Sequence, residues 1–479
     1  MTLHTYFLDG PAAWHSPVAQ LMLRFGLRWD EKQPDCRVRV TPQNNTYRVE
    51  LLLGNTSYAS QTVSTRRAGG HFLSDVLVTL CEKPLGEWGY LVGMRPTKLL
   101  HPLLAEDDFA AQAEALWARE KVAPRWGRLL TAISERQRPY LSNDWRQTDH
   151  QAAVYIGVPF CPSHCVYCSF PARVARPDED WDGFLAALLE DVQRAGALLR
   201  RHQLMIDSVY FGGGTPTVLP EQHLQTLLTA LQTELAIPSG TEFTVEAGRP
   251  DTITEAKLAA MRRAGVTRLS INPQTLQDSI LQTIHRAHTG AQIEHVYAEA
   301  QKYHFDAINM DFIAGLPDQT IADMKENLDA VARLRPENVT VHTLALKRHS
   351  PLMQTAGKYR LPSVETTRAM ADLAYETLCG MGYEPYYLYR QKYLAADLAN
   401  IGYALPGTLC RYNIQMMGER IHILGIGPGA TNKVIKNAAF QFDRCYFPWD
   451  NAAYSERLES YLTERDRLFQ SISQRSEVQ

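Results

Sequence analysis

From residue 154 onward the chain alternates short runs of strand-forming residues with longer amphipathic stretches. The runs predict strands over 154–158, 206–211, 242–246, 267–271, 307–313 and 338–344. Between the first two, Trp181, Phe184, Leu185, Leu188, Leu189 and Val192 recur at helical spacing and form one apolar stripe. Pro220 opens the next helix, whose face is lined by Leu224, Leu227, Leu228 and Leu231. Further helices are predicted over 254–264, 276–285, 291–303 and 321–334. Six consecutive strand–helix units imply a parallel sheet with right-handed crossovers. The expected fold class is α/β, a partial (β/α)6 TIM-like barrel whose functional loops lie at the C-terminal ends of the strands. A flat doubly wound sheet is the structural alternative.

The flanks read differently. Residues 1–150 predict a small N-terminal α+β domain: a strand over 47–53 after an Asn44-Asn45 turn, a helix over 73–81, and no chemical signature. A polar stretch, 142–151, reads as a linker into the barrel domain, 151–360. The remainder, 361–479, is expected to be mainly helical and to cover the substrate: a helix over 365–378, an aromatic and Gly-rich stretch, then a polar helix.

Composition narrows the class only a little. The chain has 479 residues, 45% hydrophobic and 21% charged, which excludes disorder, fibrous repeats and a disulfide-stapled miniature scaffold. A net charge of −3 advertises neither a nucleic-acid nor a membrane partner. The first residues do not read as a signal peptide, and no run approaches the ~20 apolar residues a membrane span requires. The expected location is a reducing cytoplasm. There a local cysteine trio points to metal, not to a disulfide.

Of eight cysteines, three fall together, as Cys161, Cys165 and Cys168 in Val-Pro-Phe-Cys-Pro-Ser-His-Cys-Val-Tyr-Cys. The loop follows the first barrel strand. Three thiolates so placed can ligate three irons of a [4Fe–4S] cube and leave the fourth open to a reacting ligand. A structural zinc site would want a fourth ligand, and His164, between the first two thiols, is a poor one. Cys379, Cys410 and Cys445 lack ligand spacing and read as ordinary thiols; His285, His288 and His342 read as helix-end, core or rim residues. After the second strand comes Gly212-Gly213-Gly214-Thr215-Pro216-Thr217, where the backbone can approach a ligand closely. Glu246 ends the third strand, Gln274 follows the fourth, Arg286 lies one helix later, and Asp311 is in Asn-Met-Asp-Phe-Ile-Ala-Gly-Leu-Pro-Asp-Gln-Thr on the fifth.

The cysteine loop resembles the signature of the radical S-adenosylmethionine superfamily. In serial order the motifs from Tyr155 to Lys347 are similar to the oxygen-independent coproporphyrinogen III oxidase family. That resemblance implies a [4Fe–4S] cluster on Cys161, Cys165 and Cys168. It implies one or two S-adenosylmethionine molecules held by Tyr155, Tyr167, Gly213, Gly214, Thr215, Glu246, Gln274, Arg286, Asp311 and Ala345. It further implies a 5′-deoxyadenosyl radical, a flavodoxin- or ferredoxin-like electron donor, and a tetrapyrrole substrate. The implied reaction converts two propionates of coproporphyrinogen III to vinyl groups, giving protoporphyrinogen IX.

Two departures refine the branch. The best-known oxidases of the family carry a fourth Cys where this chain has Phe170. The haem-chaperone branch carries His-Asn-x-x-Tyr-Trp where this chain reads Arg411-Tyr412-Asn413-Ile414-Gln415-Met416-Met417. The front extension, with Gly93–Lys98 in sequence Gly-Met-Arg-Pro-Thr-Lys, and the segment Tyr386-Tyr-Leu-Tyr-Arg-Gln-Lys392 resemble the HemZ-type coproporphyrinogen dehydrogenase branch. Lys347, Arg348, Arg390 and Lys392 with Tyr386, Tyr387 and Tyr389 are candidate contacts for an anionic, apolar-faced porphyrinogen. Haem trafficking on the same fold, or radical chemistry on haem itself, are the alternatives.

Overall fold

The structure, a computed structural model, describes residues 3–347, 350–355, 357–391 and 398–476. Arg348 and Lys392, two of the candidate substrate contacts, lie outside the described residues. The chain divides into two compact units, Met1–Ala132 and Ile133–Gln479.

In the first unit the strands are β1 (Thr5–Asp9), β2 (Arg28–Trp29), β3 (Cys36–Gln43), β4 (Thr46–Leu53) and β5 (Thr56–Val63), in the order β2-β1-β3-β4-β5. The expected turn at Asn44-Asn45 joins β3 to β4, and Asn44 adopts φ 51°, which asparagine tolerates better than most side chains. Helices Ala12–Arg24 and Arg66–Cys81 pack on the sheet around a core that includes Trp14, Val18, Met22, Val38, Val49, Leu51, Leu73 and Leu77.

The second unit is built on β6 (Gln151–Val158), two short strands, β7 (Phe160–Cys161) and β8 (Arg173–Val174), then β9 (Met205–Gly213), β10 (Glu242–Glu246), β11 (Arg268–Ser270), β12 (Ala307–Ala314) and β13 (Asn338–Thr343). Strands β6, β9, β10, β11, β12 and β13 are parallel and lie side by side in chain order. A doubly wound sheet reverses its strand order at a switch point. This order never reverses among the described residues, so right-handed crossovers place the helices on one face and the sheet curls as a part-barrel. The crossover helices form for the reasons expected. Phe184, Leu188 and Val192 are buried on Trp181–Arg201, and Leu224, Leu227, Leu228 and Leu231 on Glu221–Leu235. Thr289 and Thr320 close capping boxes on Gly290–Gln301 and Ile321–Leu334.

Three expectations need correction. The division falls after Ala132, within the helix Pro124–Gln137, not at residue 150. Residues beyond it are bonded into the second unit: Gln137 donates to Tyr386 O at 2.8 Å, and His422 Nε2 lies 2.9 Å from Asp149 O. The stretch from 361 is not a separate unit. It supplies β14 (Glu384–Tyr389), β15 (Asn400–Ala404), β16 (His422–Ile426), β17 (Thr431–Ile435) and β18 (Phe442–Tyr446), which extend both edges of the barrel sheet. Strand β16 pairs parallel with β6, and β15 pairs antiparallel with β13. The helix expected over 276–285 is shortened to Asp278–Thr283, because the chain leaves helical geometry at His285, φ 58°.

The closing helix, Leu458–Ser476, is tied down by a buried ion pair between Arg465 and Asp191, both 0% exposed. Asp191 also accepts from Gly427 N at 2.8 Å and from the Tyr454 hydroxyl at 2.6 Å.

Candidate functional site

The polar positions of the barrel strands are the clue to their interior. Tyr155 of β6, Tyr210 of β9, Glu246 of β10, Asn309 and Asp311 of β12, and His342 of β13 are half-buried positions in strands otherwise buried towards their C-terminal ends. Strand register sets Tyr155 beside Tyr210. Tyr210 stacks on Tyr412 from the helix Arg411–Gly418 at 4.5 Å, and Tyr155 stacks on both at 6.5 Å.

The cysteine loop is fixed at its two ends. Cys161 closes β7, paired with Val174 of β8, and its carbonyl accepts from Ala175 N at 2.9 Å. Cys168 N donates to Cys165 O at 3.1 Å, a tight turn, while Val166 is bonded to Ile284 O and to Leu352 N. Phe170 N donates to Cys168 Sγ at 3.4 Å, and Thr215 Oγ1 donates to Cys161 Sγ at 3.6 Å. Burial pushes the Cys161 thiol up to about 11, with the neighbouring Cys168 and Cys165 adding to it, and burial likewise raises Cys168. As free thiols both are protonated at neutral pH; coordination to a cationic iron is what holds such groups as thiolates. Among the described residues no three His, Cys, Asp or Glu side chains converge on one point as a single metal ion demands. A [4Fe–4S] cube makes a different demand, since each Cys binds a different iron corner.

Arg286 anchors the loop from the opposite side. It donates to Gly248 O at 2.7 Å and to Asn272 O at 2.6 Å, and reaches the Tyr167 hydroxyl at 3.3 Å and Cys165 Sγ at 3.9 Å. Burial works against its charge, but Tyr167 and Cys165 outweigh that and raise it. Arg249, equally buried, donates to Ser163 Oγ at 2.9 Å within the same loop.

The glycine segment is close-packed before any ligand arrives. Gly213 has φ 111°, and a Cβ there would stand 2.7 Å from Val158 O; one on Gly214 would collide with the Phe160 carbonyl and approach Cys161 Sγ to 3.0 Å. These glycines let the second strand end lie directly on the cysteine loop.

The acids differ sharply. Glu246 accepts from the Tyr210 hydroxyl at 2.6 Å, yet burial, reinforced by Asp311, pushes its carboxyl up to about 7. Burial also pushes on Asp311, but His342, Asn309 and Thr340 overcome it and its carboxyl is lowered. Asp311 lies 3.6 Å from His342 Nε2, and His342 Nδ1 is 3.3 Å from the Tyr389 hydroxyl. Asn309 donates to Asp311 at 2.7 Å and to Ser270 Oγ at 2.8 Å. Gln274 is held at φ 68° by backbone bonds to Asp311 O and from Ile313 N, and its buried Oε1 has no donor among the described residues. Glu246, Asp311 and Gln274 Oε1 together make an acceptor-rich wall. That chemistry suits a ligand that donates from an ammonium group and hydroxyls. Ala345 is present through its backbone, its carbonyl accepting Lys347 N at 3.1 Å.

Of the candidate substrate contacts, Tyr387 and Tyr389 stack at 6.2 Å near the relay, whereas Tyr386 turns to Asn413 Nδ2 at 3.1 Å and Arg390 is buried. Phe170 packs edge-on against Trp449 at 4.6 Å. Tyr210, Tyr412 and Arg249 carry no binding reading in the sequence, and Tyr389 reads there as a substrate contact, not as the partner of His342. Only Tyr210 left a signal there, as the polar member of Val209-Tyr210-Phe211 in register with Tyr155.

A part-barrel with sequential parallel strands and a three-cysteine loop beyond its first strand defines a class, and residues 155–331 match the Radical SAM superfamily. The chain is 37% identical over 401 residues to the oxygen-independent coproporphyrinogen-III oxidase-like protein HemZ of Bacillus subtilis, covering 82% of this chain and 79% of that protein. It is 31% identical to the heme chaperone HemW of Lactococcus lactis, covering 58% and 69%. The solved coproporphyrinogen III oxidase HemN of Escherichia coli shares the fold, with a TM-score of 0.54 at 20% identity over 67% of this chain and 71% of that one. The chain belongs to the radical S-adenosylmethionine superfamily, in the family of HemZ and the oxygen-independent coproporphyrinogen-III oxidase-like proteins. The cofactors of that superfamily are a [4Fe–4S] cluster and S-adenosylmethionine. Among the described residues no helix is long and apolar enough to cross a membrane.

Proposed function

We propose that the protein oxidatively decarboxylates two propionates of coproporphyrinogen III without oxygen, giving protoporphyrinogen IX. The observation that carries this reading is the extent of the likeness to HemZ, 37% identity over 82% of the chain, against 26–31% over 58–65% for heme chaperones HemW. When bound, the cluster and S-adenosylmethionine supply a carbon-centred radical able to take hydrogen from an unactivated C–H bond.

The chain's own residues position and shield that chemistry. Cys161, Cys165 and Cys168 would ligate three irons of the cluster, and Arg286 and Arg249 hold their loop rigid from behind. Glu246, Gln274 and Asp311 accept from the amino and hydroxyl groups of S-adenosylmethionine, with Gly213, Gly214 and Thr215 forming the close backbone wall and Tyr155, Tyr167 and Ala345 completing the lining. Tyr389 and His342 keep Asp311 ionised at the far side. Residues from 361 onward cover the porphyrinogen, with the Tyr387–Tyr389 stack as an apolar platform and Lys347 as a cation for a propionate. Each propionate becomes a vinyl group by losing a hydrogen atom to the carbon-centred radical, carbon dioxide to solution and one electron to an external one-electron acceptor. A small flavodoxin- or ferredoxin-like protein would supply the reducing electron.

The test is anaerobic turnover of the reconstituted protein with reductant, S-adenosylmethionine and coproporphyrinogen III. Protoporphyrinogen IX appearing with 5′-deoxyadenosine supports the reading. Deoxyadenosine without vinyl product sinks the substrate. Tight haem binding with no S-adenosylmethionine cleavage replaces the enzyme with a haem-trafficking protein.

A further inference from the structure

The first unit has a cavity of its own, about 540 Å³, inside the ~300–1,000 Å³ range of small-molecule sites. Its walls are largely apolar, with Trp14, Val18, Leu91 and Leu99 among them. Trp14 is only 1% exposed, yet its indole N–H has no acceptor among the described residues. The segment Gly93-Met-Arg-Pro-Thr-Lys98, which the catalytic reading leaves unused, contributes Gly93, Arg95 and Pro96 to the lining.

The charges at the cavity are one-sided. Arg66, Arg67 and Arg95 line it, with Glu120 as the one lining carboxylate among the described residues; Glu120 is already engaged by Arg67 at 2.8 Å and by His71 at 2.9 Å, and Arg66 donates to the Ala13 carbonyl at 3.0 Å. Arg66 and Arg67 also occupy the first turn of the helix Arg66–Cys81, which has no acidic residue there. The helix dipole disfavours cations at that end, and a bound anion would reverse the balance.

A pair of glycines gives an independent indication. Gly69 and Gly70 both weaken the helix that contains them. Gly69 has a packing reason, because a Cβ there would run into the Trp14 ring. Gly70 has none: it lines the cavity, and an added Cβ would meet nothing within 4 Å. Its effect is to keep the space open.

We infer that this cavity is a second ligand site, for an organic anion whose apolar or aromatic body fills the space beside Trp14 and whose carboxylate or comparable acid group faces Arg66. The site stands apart from the proposed decarboxylation and does not rest on it.

The probes are 8-anilino-1-naphthalenesulfonate, an aromatic anion, and N-phenyl-1-naphthylamine, its neutral counterpart. Each is titrated into the full-length protein with cluster and S-adenosylmethionine bound, reading dye fluorescence on tryptophan excitation. The expected result is one saturable site for the anion, with the neutral dye about tenfold weaker or more. Gly70→Leu, which fills the cavity and replaces a helix-weakening glycine, abolishes binding while holding or raising Tm. Arg66→Gln weakens the anion about tenfold and leaves the neutral dye unchanged. Absence of saturable binding, or binding by Gly70→Leu equal to wild type, overturns the site. Equal affinity for both dyes, or indifference to Arg66→Gln, overturns the anionic ligand. Should Gly70→Leu fail to fold, the dye pair and Arg66→Gln decide alone.

Discussion

Each compact unit draws a glutamate inside, Glu120 fully buried and Glu246 half-buried, and the two are treated oppositely. Glu120 of the first unit, 1% exposed, is met by Arg67 at 2.8 Å and by His71 at 2.9 Å. Glu246 of the barrel has a tyrosine hydroxyl at 2.6 Å, and no Lys, Arg or His among the described residues pairs with it. Burial therefore leaves it raised to about 7. A buried carboxylate with cations is a lock; one without a cation is prepared to receive one from a ligand. The difference is one of place more than of unit, because Asp191, also in the barrel unit but on a crossover helix, is paired with Arg465 and belongs with Glu120.

The largest effect should come from the cysteine loop. Cys165→Ala is expected to abolish the cluster's absorbance near ~400 nm and all turnover. A full cluster surviving in that variant would show the ligand set to be wrong. Next comes the lock itself. Asp191→Ala leaves the Arg465 charge buried and alone, which costs about 3–5 kcal/mol. Urea unfolding of the cluster-loaded protein measures it, and a loss below about 1 kcal/mol would remove Asp191 from the class of locks.

Glu246→Gln should do the reverse, leaving folding nearly intact and weakening S-adenosylmethionine binding. Loss of a charge-assisted hydrogen bond, about 1.5–3 kcal/mol, corresponds to roughly ten- to a hundredfold in Kd. The pH dependence separates the contributions. Folding raises Glu246 from 4.5 to about 7, so it contributes stability that is full below 4.5 and is lost as the pH rises through 7. Binding runs the other way: the ligand's ammonium supplies the missing cation, so affinity falls about tenfold per pH unit below 7. Equilibrium dialysis under anaerobic conditions should show that slope in the wild type and a flat profile in Glu246→Gln. A wild-type profile already flat would remove Glu246 from the ligand's contacts.

What could be read in the sequence, and what could not, follows the range of the interactions. The crossover helices and parallel strands are legible because each is fixed by its own periodicity, as the buried stripe of Leu224, Leu227, Leu228 and Leu231 shows. The cysteine loop is legible because three cysteines lie within eight residues. The edge strands after residue 361 were missed because β15 and β16 are buried on all five positions and carry no alternation. Tyr412 was unreadable for a different reason. It reaches Tyr210 from a helix 202 positions further along the chain, and nothing local to Arg411–Gly418 records that contact.

The smallest expected effect tests whether Asp311 belongs with the locks or with the receivers. Its carboxyl is lowered despite burial, through His342 and Asn309, yet it sits among the strand-end acceptors. Tyr389→Phe removes the hydroxyl that holds His342 Nδ1 at 3.3 Å while keeping the ring that stacks on Tyr387. One neutral hydrogen bond is worth about 0.5–1.5 kcal/mol, so S-adenosylmethionine affinity should fall about two- to tenfold if Asp311 receives the ligand through a correctly oriented imidazole. If Asp311 is a lock, the same loss appears as a lower urea midpoint with affinity unchanged. His342→Gln distinguishes orientation from charge. A glutamine amide still donates to Asp311 but carries no charge, so preserved affinity assigns the effect to orientation and a further drop assigns it to the imidazolium.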